Sequence, residues 1–288
     1  MDVVLGPNRY GKAETRVVRV TRDGDTHHLR DLNVSIALSG HMEAVHLSGD
    51  NSAVLPTDSQ KNTVFAFAKK HGIGEIEEFA LLLARHFVDA RPSITRASVV
   101  VEEYGWERIR GGHSFARSGT EVRTARVGSE GTGGRESVVS GLADLVVLKT
   151  TGSEFRGFVQ DEYTTLQPTD DRVLATAVTA NWRHRTADAD FAGAFQEARR
   201  CLLEAFAETH SRSLQQTLYE MGRRVLEGNG GICEVRLSMP NKHHFLVDLE
   251  PFGLDNENEV YFAADRPYGL IEGGVRAGDA AEDPAAWS

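Results

Sequence analysis

The chain has 288 residues, enough for one large domain or for two domains of ordinary size, each with a hydrophobic core. Hydrophobic residues make up 40% and charged residues 26%, a composition typical of a globular protein and not of a disordered or membrane-embedded one. The formal net charge of -10 disfavours a broad nucleic-acid surface, because such a surface neutralises phosphates with Lys and Arg.

The cysteine spacing and the terminal sequences narrow the class of protein further. The two cysteines, Cys201 and Cys233, show no CxxC spacing, and no histidine cluster lies at zinc-finger distances from them. We therefore expect reduced cysteines and no metal site. The first residues become polar quickly, no apolar run reaches membrane-spanning length, and the last residues carry no peroxisomal signal. These features predict a cytoplasmic protein.

The first half of the chain begins with a predicted β-hairpin. Apolar residues alternate with small or polar ones over residues 32–39, which is the period of a half-buried strand. Residues 16–22 are the expected partner strand, across an Asp-Gly-Asp turn at 23–25.

Two helices and further strands are predicted next. The Pro-Thr-Asp sequence at 56–58 is typical of a helix start, where Thr or Asp side chains cap unpaired N–H groups. A second helix has apolar residues at three- and four-residue spacing over 76–90 and ends before Pro92. Strand signals then run from residue 98 to about 127. The predicted order is strand, strand, helix, helix, strand, strand.

A glycine-rich stretch at 128–134 separates this half from a second one with the same plan. Strands are predicted at 137–148 and 172–180, followed by one helix through Phe191 and Phe206, another through Leu214 and Val225, and a strand from Cys233.

Two copies of one unit explain this order better than a single large fold, so we predict a tandem duplication with domains 1–134 and 135–288. Helix pairs between strand pairs favour an α+β fold, with antiparallel sheets that carry the helices on one face. Closing such sheets into a barrel across several chains would remove their free edges.

Two segments in the first half carry side chains suited to ligand binding. Lys12, in a Tyr-Gly-Lys sequence before a predicted strand, is by itself most simply a solvated lysine. The second segment is Pro-Thr-Asp-Ser-Gln-Lys-Asn-Thr at 56–63. A helix N-terminus here offers N–H groups and partial positive charge to a planar anion, whereas capping by Thr57 or Asp58 is the simpler interpretation.

A third segment, residues 155–166, is followed by Arg172. The Phe155 ring can stack on a heteroaromatic ring, while the Arg172 fork can hold two acceptors in the ring plane. The alternative makes Phe155 a core residue and Arg172 a salt-bridge residue.

The fourth segment is Pro-Asn-Lys-His-His-Phe at 240–245. In an extended chain Asn241 and His243 project to one face, and Lys242 and His244 to the other. The two histidines therefore cannot bind one metal from one strand face, and an ordinary hydrogen-bonded histidine remains the alternative for His243.

Together these segments resemble the urate oxidase, or uricase, family. The resemblance runs through YGK, PTDSQKNT, FRGFVQDEYTTL with Arg172, SLQQT around Gln215, and MPNKHHF, in the family's order over nearly the whole chain. It implies the tunnelling fold (T-fold), two such domains per chain, and a homotetramer that closes the sheets into a barrel.

The resemblance also implies roles for individual residues. Lys12, Thr57 and His243 would form a proton relay, with Lys12 and Thr57 from one subunit and His243 from its neighbour. Asn241, with Thr57, would hold dioxygen and then water. The substrate-binding residues would be Thr57 and Asp58 through their backbone N–H groups, Phe155 by stacking, Arg172, Gln215, and the Leu214 backbone. Arg156 and His244 are expected to face away from the site.

The implied reaction is the oxidation of urate by dioxygen and water to 5-hydroxyisourate and hydrogen peroxide, without a cofactor or a metal. Two alternatives remain. One is another purine- or pterin-directed T-fold enzyme, such as a cyclohydrolase, and zinc-dependent members of that class need Cys and His ligands. The other is a purine-binding protein without turnover. Neither a nucleic acid nor a membrane is an expected partner.

Overall fold

The computed structural model describes residues 1–288. Eight strands form one sheet in sequential order, and the α+β fold with antiparallel pairing is confirmed. The strands are β1 (Tyr10–Asp23), β2 (Thr26–Gly40), β3 (Ile94–Arg108), β4 (Phe115–Ser129), β5 (Glu136–Lys149), β6 (Leu174–His184), β7 (Ile232–Leu246) and β8 (Tyr261–Arg276).

Two helix pairs lie between strand pairs in the predicted chain order. The helices are α1 (Glu43–Leu47), α2 (Thr57–Lys70), α3 (Ile76–Asp89), α4 (Phe191–Glu208) and α5 (Leu214–Gly228), with short 3-10 turns at Glu250–Phe252 and Pro284–Trp287. The short helix α1 has no counterpart in the sequence prediction. None of these helices is both long and apolar enough to cross a membrane.

The first hairpin has the predicted turn. Asp23 pairs with Thr26, so that Gly24 and Asp25 form a two-residue connection. Gly24 has a φ of +56°, a left-handed conformation that glycine adopts without steric cost. The Asp-Gly-Asp signal therefore located the turn correctly.

Contacts divide the chain into two compact units. Unit 1 comprises Met1–Gly141, Trp182–Gly193 and Ala281–Ser288, and unit 2 comprises Leu142–Asn181 and Ala194–Ala280. In unit 1 the apolar face of α3 packs against β3 and β4. One cluster of buried side chains joins this face to the alternating apolar residues of β2, such as Leu32 and Ile36. The apolar residues that recur with period two in β2 and with period 3.6 in α3 therefore pack together in this core.

In unit 2, α5 packs against β7 and β8 through Leu218, Met221 and Val225, which are all buried. Ser213 caps this helix because its side chain accepts a hydrogen bond from the backbone N–H of Gln216. A Cβ added at Gly222 would lie 2.7 Å from the Val275 side chain, so the helix approaches β8 closely at this residue. The cap and this close approach fix where α5 begins relative to the sheet of unit 2.

Candidate functional site

Unit 2 contains a cavity of about 350 Å³ formed by the loop before β6 and by the outer part of β7. Four of the predicted site residues line it: Phe155, Arg172, Asn241 and His243. The other lining residues are Leu166, Gln167, Thr169, Asp171, Val173, His244, Phe245, Leu246, Asn258 and Tyr261. A cavity of this size accommodates a small ligand such as a purine.

Phe155 lies on the wall of the cavity and is half-buried, so the alternative that placed it in the core is wrong. Its backbone makes an isolated antiparallel bridge with Thr169, with N–H to oxygen distances of 2.9 and 3.0 Å in the two directions. Its ring stacks on Phe158 at a centroid distance of 5.0 Å. The ring is therefore held in place before any ligand binds.

Arg172 places its guanidinium carbon 5.1 Å from the centre of the Phe155 ring. Burial alone lowers its pKa, with no contribution from a carboxylate, so the salt-bridge alternative for this residue is wrong. Its Nε is buried and has no hydrogen-bond partner. A buried unpaired donor costs about 1–3 kcal/mol, which an acceptor on a ligand would recover.

His243 has a pKa below its usual value, first because it is partly buried and second because the positive charge of Arg172 is close. Its ring stacks on Phe245 at 5.6 Å. Both effects favour the neutral imidazole, which can accept a proton.

Although the sequence predicts that His244 faces away from the site, this residue borders the cavity. The pairing of β7 with β8 shifts register between Asn241 and His243, where one residue of β7 lies opposite four residues of β8, 265–268. Asn241, His243 and His244 all line the cavity, whereas Lys242 does not. The Nδ1 atom of His244 lies 3.1 Å from the Lys242 carbonyl oxygen. Arg156 is exposed, is not part of the lining, and pairs with Asp170.

Leu214 and Gln215 are the first two residues of α5. Leu214 is 2% exposed and Gln215 is exposed, and neither lines the cavity of the single chain.

The predicted residues of unit 1 lie around the start of α2. The hydroxyl of Tyr10 accepts a hydrogen bond from the Leu55 backbone N–H at 2.9 Å and donates one to the Leu55 carbonyl at 3.1 Å. At Gly11 a Cβ would lie 1.8 Å from the Ile36 carbonyl oxygen, so only glycine fits there. Lys12 lies inside β1, not before a strand as expected, at the edge of a register shift that extends to Thr15.

The N-terminus of α2 has no side-chain cap, so capping by Thr57 or Asp58 is not what these residues do. Pro56 occupies the capping position, and Thr57 is the first helical residue. The Asp58 carboxylate accepts hydrogen bonds from Lys61 at 2.5 Å and from Asn62 at 2.9 Å. Lys61 is the main cause of the lowered pKa of Asp58, and the charge of Lys12 contributes. Lys12 therefore lies within electrostatic reach of the helix start, where backbone N–H groups favour an anion.

A stacking ring, a partly buried guanidinium and a histidine on one cavity wall define a site for a planar, acceptor-rich ligand. No group of three or more His, Cys, Asp or Glu residues is arranged to hold a metal ion. Cys201 and Cys233 are both buried and unbridged.

Comparison with known proteins identifies the family. The sequence model of the family described as Uricase matches residues 8–128 and 138–272. A uricase of Arthrobacter globiformis is 52% identical over 287 residues, 99% of this chain and 94% of that protein. A uricase of Dictyostelium discoideum is 38% identical, over 93% of this chain and 96% of that protein.

Solved structures agree with this assignment. The crystal structure of uricase from Arthrobacter globiformis matches with a TM-score of 0.96 and 51% identity, covering 100% of this chain and 99% of the other. A urate oxidase structure from Bacillus sp. TB-90 matches with a TM-score of 0.83 and 26% identity, over 94% of this chain and 100% of the other. The chain belongs to the uricase family.

Proposed function

We propose that the protein oxidises urate with dioxygen and water to 5-hydroxyisourate and hydrogen peroxide, without a cofactor. Membership of the uricase family supports the reaction. The observation that carries the proposal is the buried Nε of Arg172, which has no partner and lies beside the Phe155 ring in a cavity of suitable size. A purine anion supplies both the ring to stack on Phe155 and the acceptors that this guanidinium lacks.

Substrate binding is proposed to involve two sets of residues from different subunits of a homotetramer. Phe155 stacks under the ring, while Arg172, Gln215 and the Leu214 backbone hold its six-membered side. From the neighbouring subunit, the N–H groups of Thr57 and Asp58 hold the five-membered side. The uncapped start of α2 supports this role, because its first N–H groups receive no hydrogen bond from a side-chain cap.

Proton transfer is proposed to involve Lys12, Thr57 and His243. Urate binds as a monoanion, and Lys12 removes a second proton with Thr57 as a relay. The resulting dianion gives two electrons to dioxygen, which leaves with two protons as hydrogen peroxide. Water then adds to C5 of the oxidised ring, and its lost proton returns through the relay. Asn241, with Thr57, holds dioxygen and later this water. The lowered pKa of His243 supports a role in accepting a proton.

The architecture around this site is also a proposal. We infer T-fold domains at 1–134 and 135–288, and a homotetramer that closes the sheets into a barrel with sites between subunits. A cytoplasmic location remains a prediction.

The reaction is tested by incubating the purified protein with urate under air and under nitrogen. The expected result is loss of the near-ultraviolet absorbance of urate only under air, with one hydrogen peroxide formed for each urate consumed. Activity should be unchanged after treatment with a metal chelator. Consumption of urate without oxygen, or activity that is lost on chelation and restored by zinc, would contradict the proposal and favour a hydrolytic T-fold enzyme.

A further inference from the structure

Three chain segments that carry the proposed substrate-binding residues are joined by hydrogen bonds in unit 2. Phe155 lies on the first segment, Arg172 on the second, and Leu214 and Gln215 on the third. We define the clamp as Thr151–Phe155, Thr169–Arg172 and Ser211–Thr217. Since these segments are distant in sequence, their separations depend on the bonds between them.

Asp171 joins the first two segments through one carboxylate. Its Oδ2 accepts a hydrogen bond from the Thr151 hydroxyl at 2.6 Å. Its Oδ1 accepts from the backbone N–H groups of Ser153 at 3.3 Å and of Arg172 at 3.1 Å. The Thr169 hydroxyl donates to the Asp171 carbonyl at 2.7 Å. The Thr151 hydrogen bond is the main cause of the lowered pKa of Asp171, so the carboxylate is ionised when it makes these contacts.

Ser211 joins the first segment to the third. Its backbone N–H donates to the Gly152 carbonyl at 2.9 Å, and its carbonyl accepts from the Glu154 N–H at 2.8 Å. Its fully buried hydroxyl accepts from Thr217 of α5 at 2.8 Å. The start of α5 is thereby fixed relative to the segment that ends at Phe155.

We propose that Asp171 is a positioning residue that sets the distance between the Phe155 ring and the Arg172 guanidinium, and thus the fit of the substrate ring. The proposal rests on the function proposed above. Asp171 acts through the backbone of its neighbours, since none of its hydrogen bonds involves the Arg172 side chain. Its loss should therefore affect substrate binding more than proton transfer.

The test compares Asp171→Asn and Asp171→Ala with Asp170→Asn. Asp170 is the matched control because it is exposed, carries the same charge one residue earlier, and pairs only with Arg156, outside the cavity. Asn retains one acceptor oxygen for the N–H groups but offers Thr151 no second acceptor, whereas Ala retains none.

We expect KM for urate to rise about tenfold in Asp171→Asn and further in Asp171→Ala, because small errors in placement are costly. The pH profile of kcat should keep its wild-type shape, and Asp170→Asn should match the wild type. Dissociation constants for urate, measured without oxygen, should rise in parallel with KM. A lower melting temperature with unchanged KM would assign Asp171 a purely structural role and overturn the proposal.

Amide hydrogen exchange provides a readout that needs no activity. In Asp171→Asn and Asp171→Ala, the N–H groups of Ser153, Phe155 and Arg172 should exchange faster, while the core of α5 keeps its protection. If the wild type fails to oxidise urate but these N–H groups exchange faster in the variants, the proposed function is wrong and the positioning role of Asp171 in the clamp is supported. If urate is oxidised but these N–H groups exchange at the wild-type rate in the variants, the proposed role of Asp171 in the clamp is wrong.

Discussion

A buried polar network in unit 1 predicts a specific dependence of stability on pH. The Nε2 atom of His184 lies 2.8 Å from the Ser140 hydroxyl oxygen, and that hydroxyl lies 2.6 Å from a Glu77 carboxylate oxygen. Arg123 binds the other Glu77 oxygen at 2.8 Å and Glu75 at 2.6 Å. His184 is 4% exposed, and burial, followed by the charge of Arg123, lowers its pKa to about 4. The folded protein therefore holds His184 neutral.

The sign of the effect follows from proton binding. An unfolded histidine has a pKa of about 6.5, so between that value and about 4 the unfolded chain binds more protons than the folded protein. The free energy of unfolding must therefore fall as the pH falls through this range. The contribution of His184 lowers the free energy of unfolding by about 2 kcal/mol at pH 5 and by about 3 kcal/mol below pH 4. Glu77 has the opposite effect, since burial raises its pKa and its proton uptake on acidification stabilises the fold.

The variant His184→Gln isolates the histidine contribution, because Glu77 remains in both proteins. Urea unfolding at one protein concentration would give the free energy of unfolding for each at about pH 7.5 and about pH 5. Between about pH 7.5 and about pH 5, the free energy of unfolding of the wild type should fall by about 2 kcal/mol more than that of the variant. A difference that stays constant with pH would refute the argument that His184 is buried in its neutral form.

Three further predictions concern the proposed site. Lys12→Met or Thr57→Ala should lower turnover by about two orders of magnitude or more while leaving the circular dichroism and oligomer mass unchanged; near-normal turnover would exclude the relay. Mixing inactive Lys12→Met and His243→Ala chains, with subunit exchange, should restore part of the activity, because some interfaces then combine two intact contributions; hetero-oligomers without activity would place both residues in one chain's site. Gly11→Ala should lower the melting temperature and the activity together, because its Cβ would overlap the Ile36 carbonyl oxygen; a fully stable, active variant would contradict this.

Local periodicity predicted most elements but not their ends. The alternation in residues 32–39 and the apolar face of α3 both bury side chains in the core, and both elements lie where predicted. Strand β2 extends from Thr26 to Gly40, well beyond that stretch, because residues outside the core need no alternation. Strand β8 followed only from the repeat of the two halves, since most of its residues are exposed in the chain and it contains Pro267.

The sequence predicts candidate site residues but not how they are placed relative to one another. The sequence predicts Phe155, Arg172, Asn241 and His243 as site residues, and all four line one cavity. Their mutual placement depends on an isolated bridge and on hydrogen bonds between distant segments, which leave no periodic signal. The irregular pairing of β7 with β8 next to Lys242 is equally silent in the sequence. No sequence pattern marks Asp171, because an aspartate beside an arginine in a loop is most simply a solvated pair.

The unpartnered Nε of Arg172 has a consequence for how the cavity discriminates between ligands. In the occupied site, a ring with an acceptor at that edge would satisfy the Arg172 Nε, whereas an analogue of the same shape without one would leave this buried donor unpaired. The penalty is about 1–3 kcal/mol, or roughly fivefold to 150-fold in affinity, and it applies to the wrong ligand although nothing clashes with it. The cavity therefore discriminates between ligands by hydrogen-bond polarity more strictly than by size. Apolar rings that would fill the same volume bind more weakly, because they leave the Arg172 Nε without an acceptor.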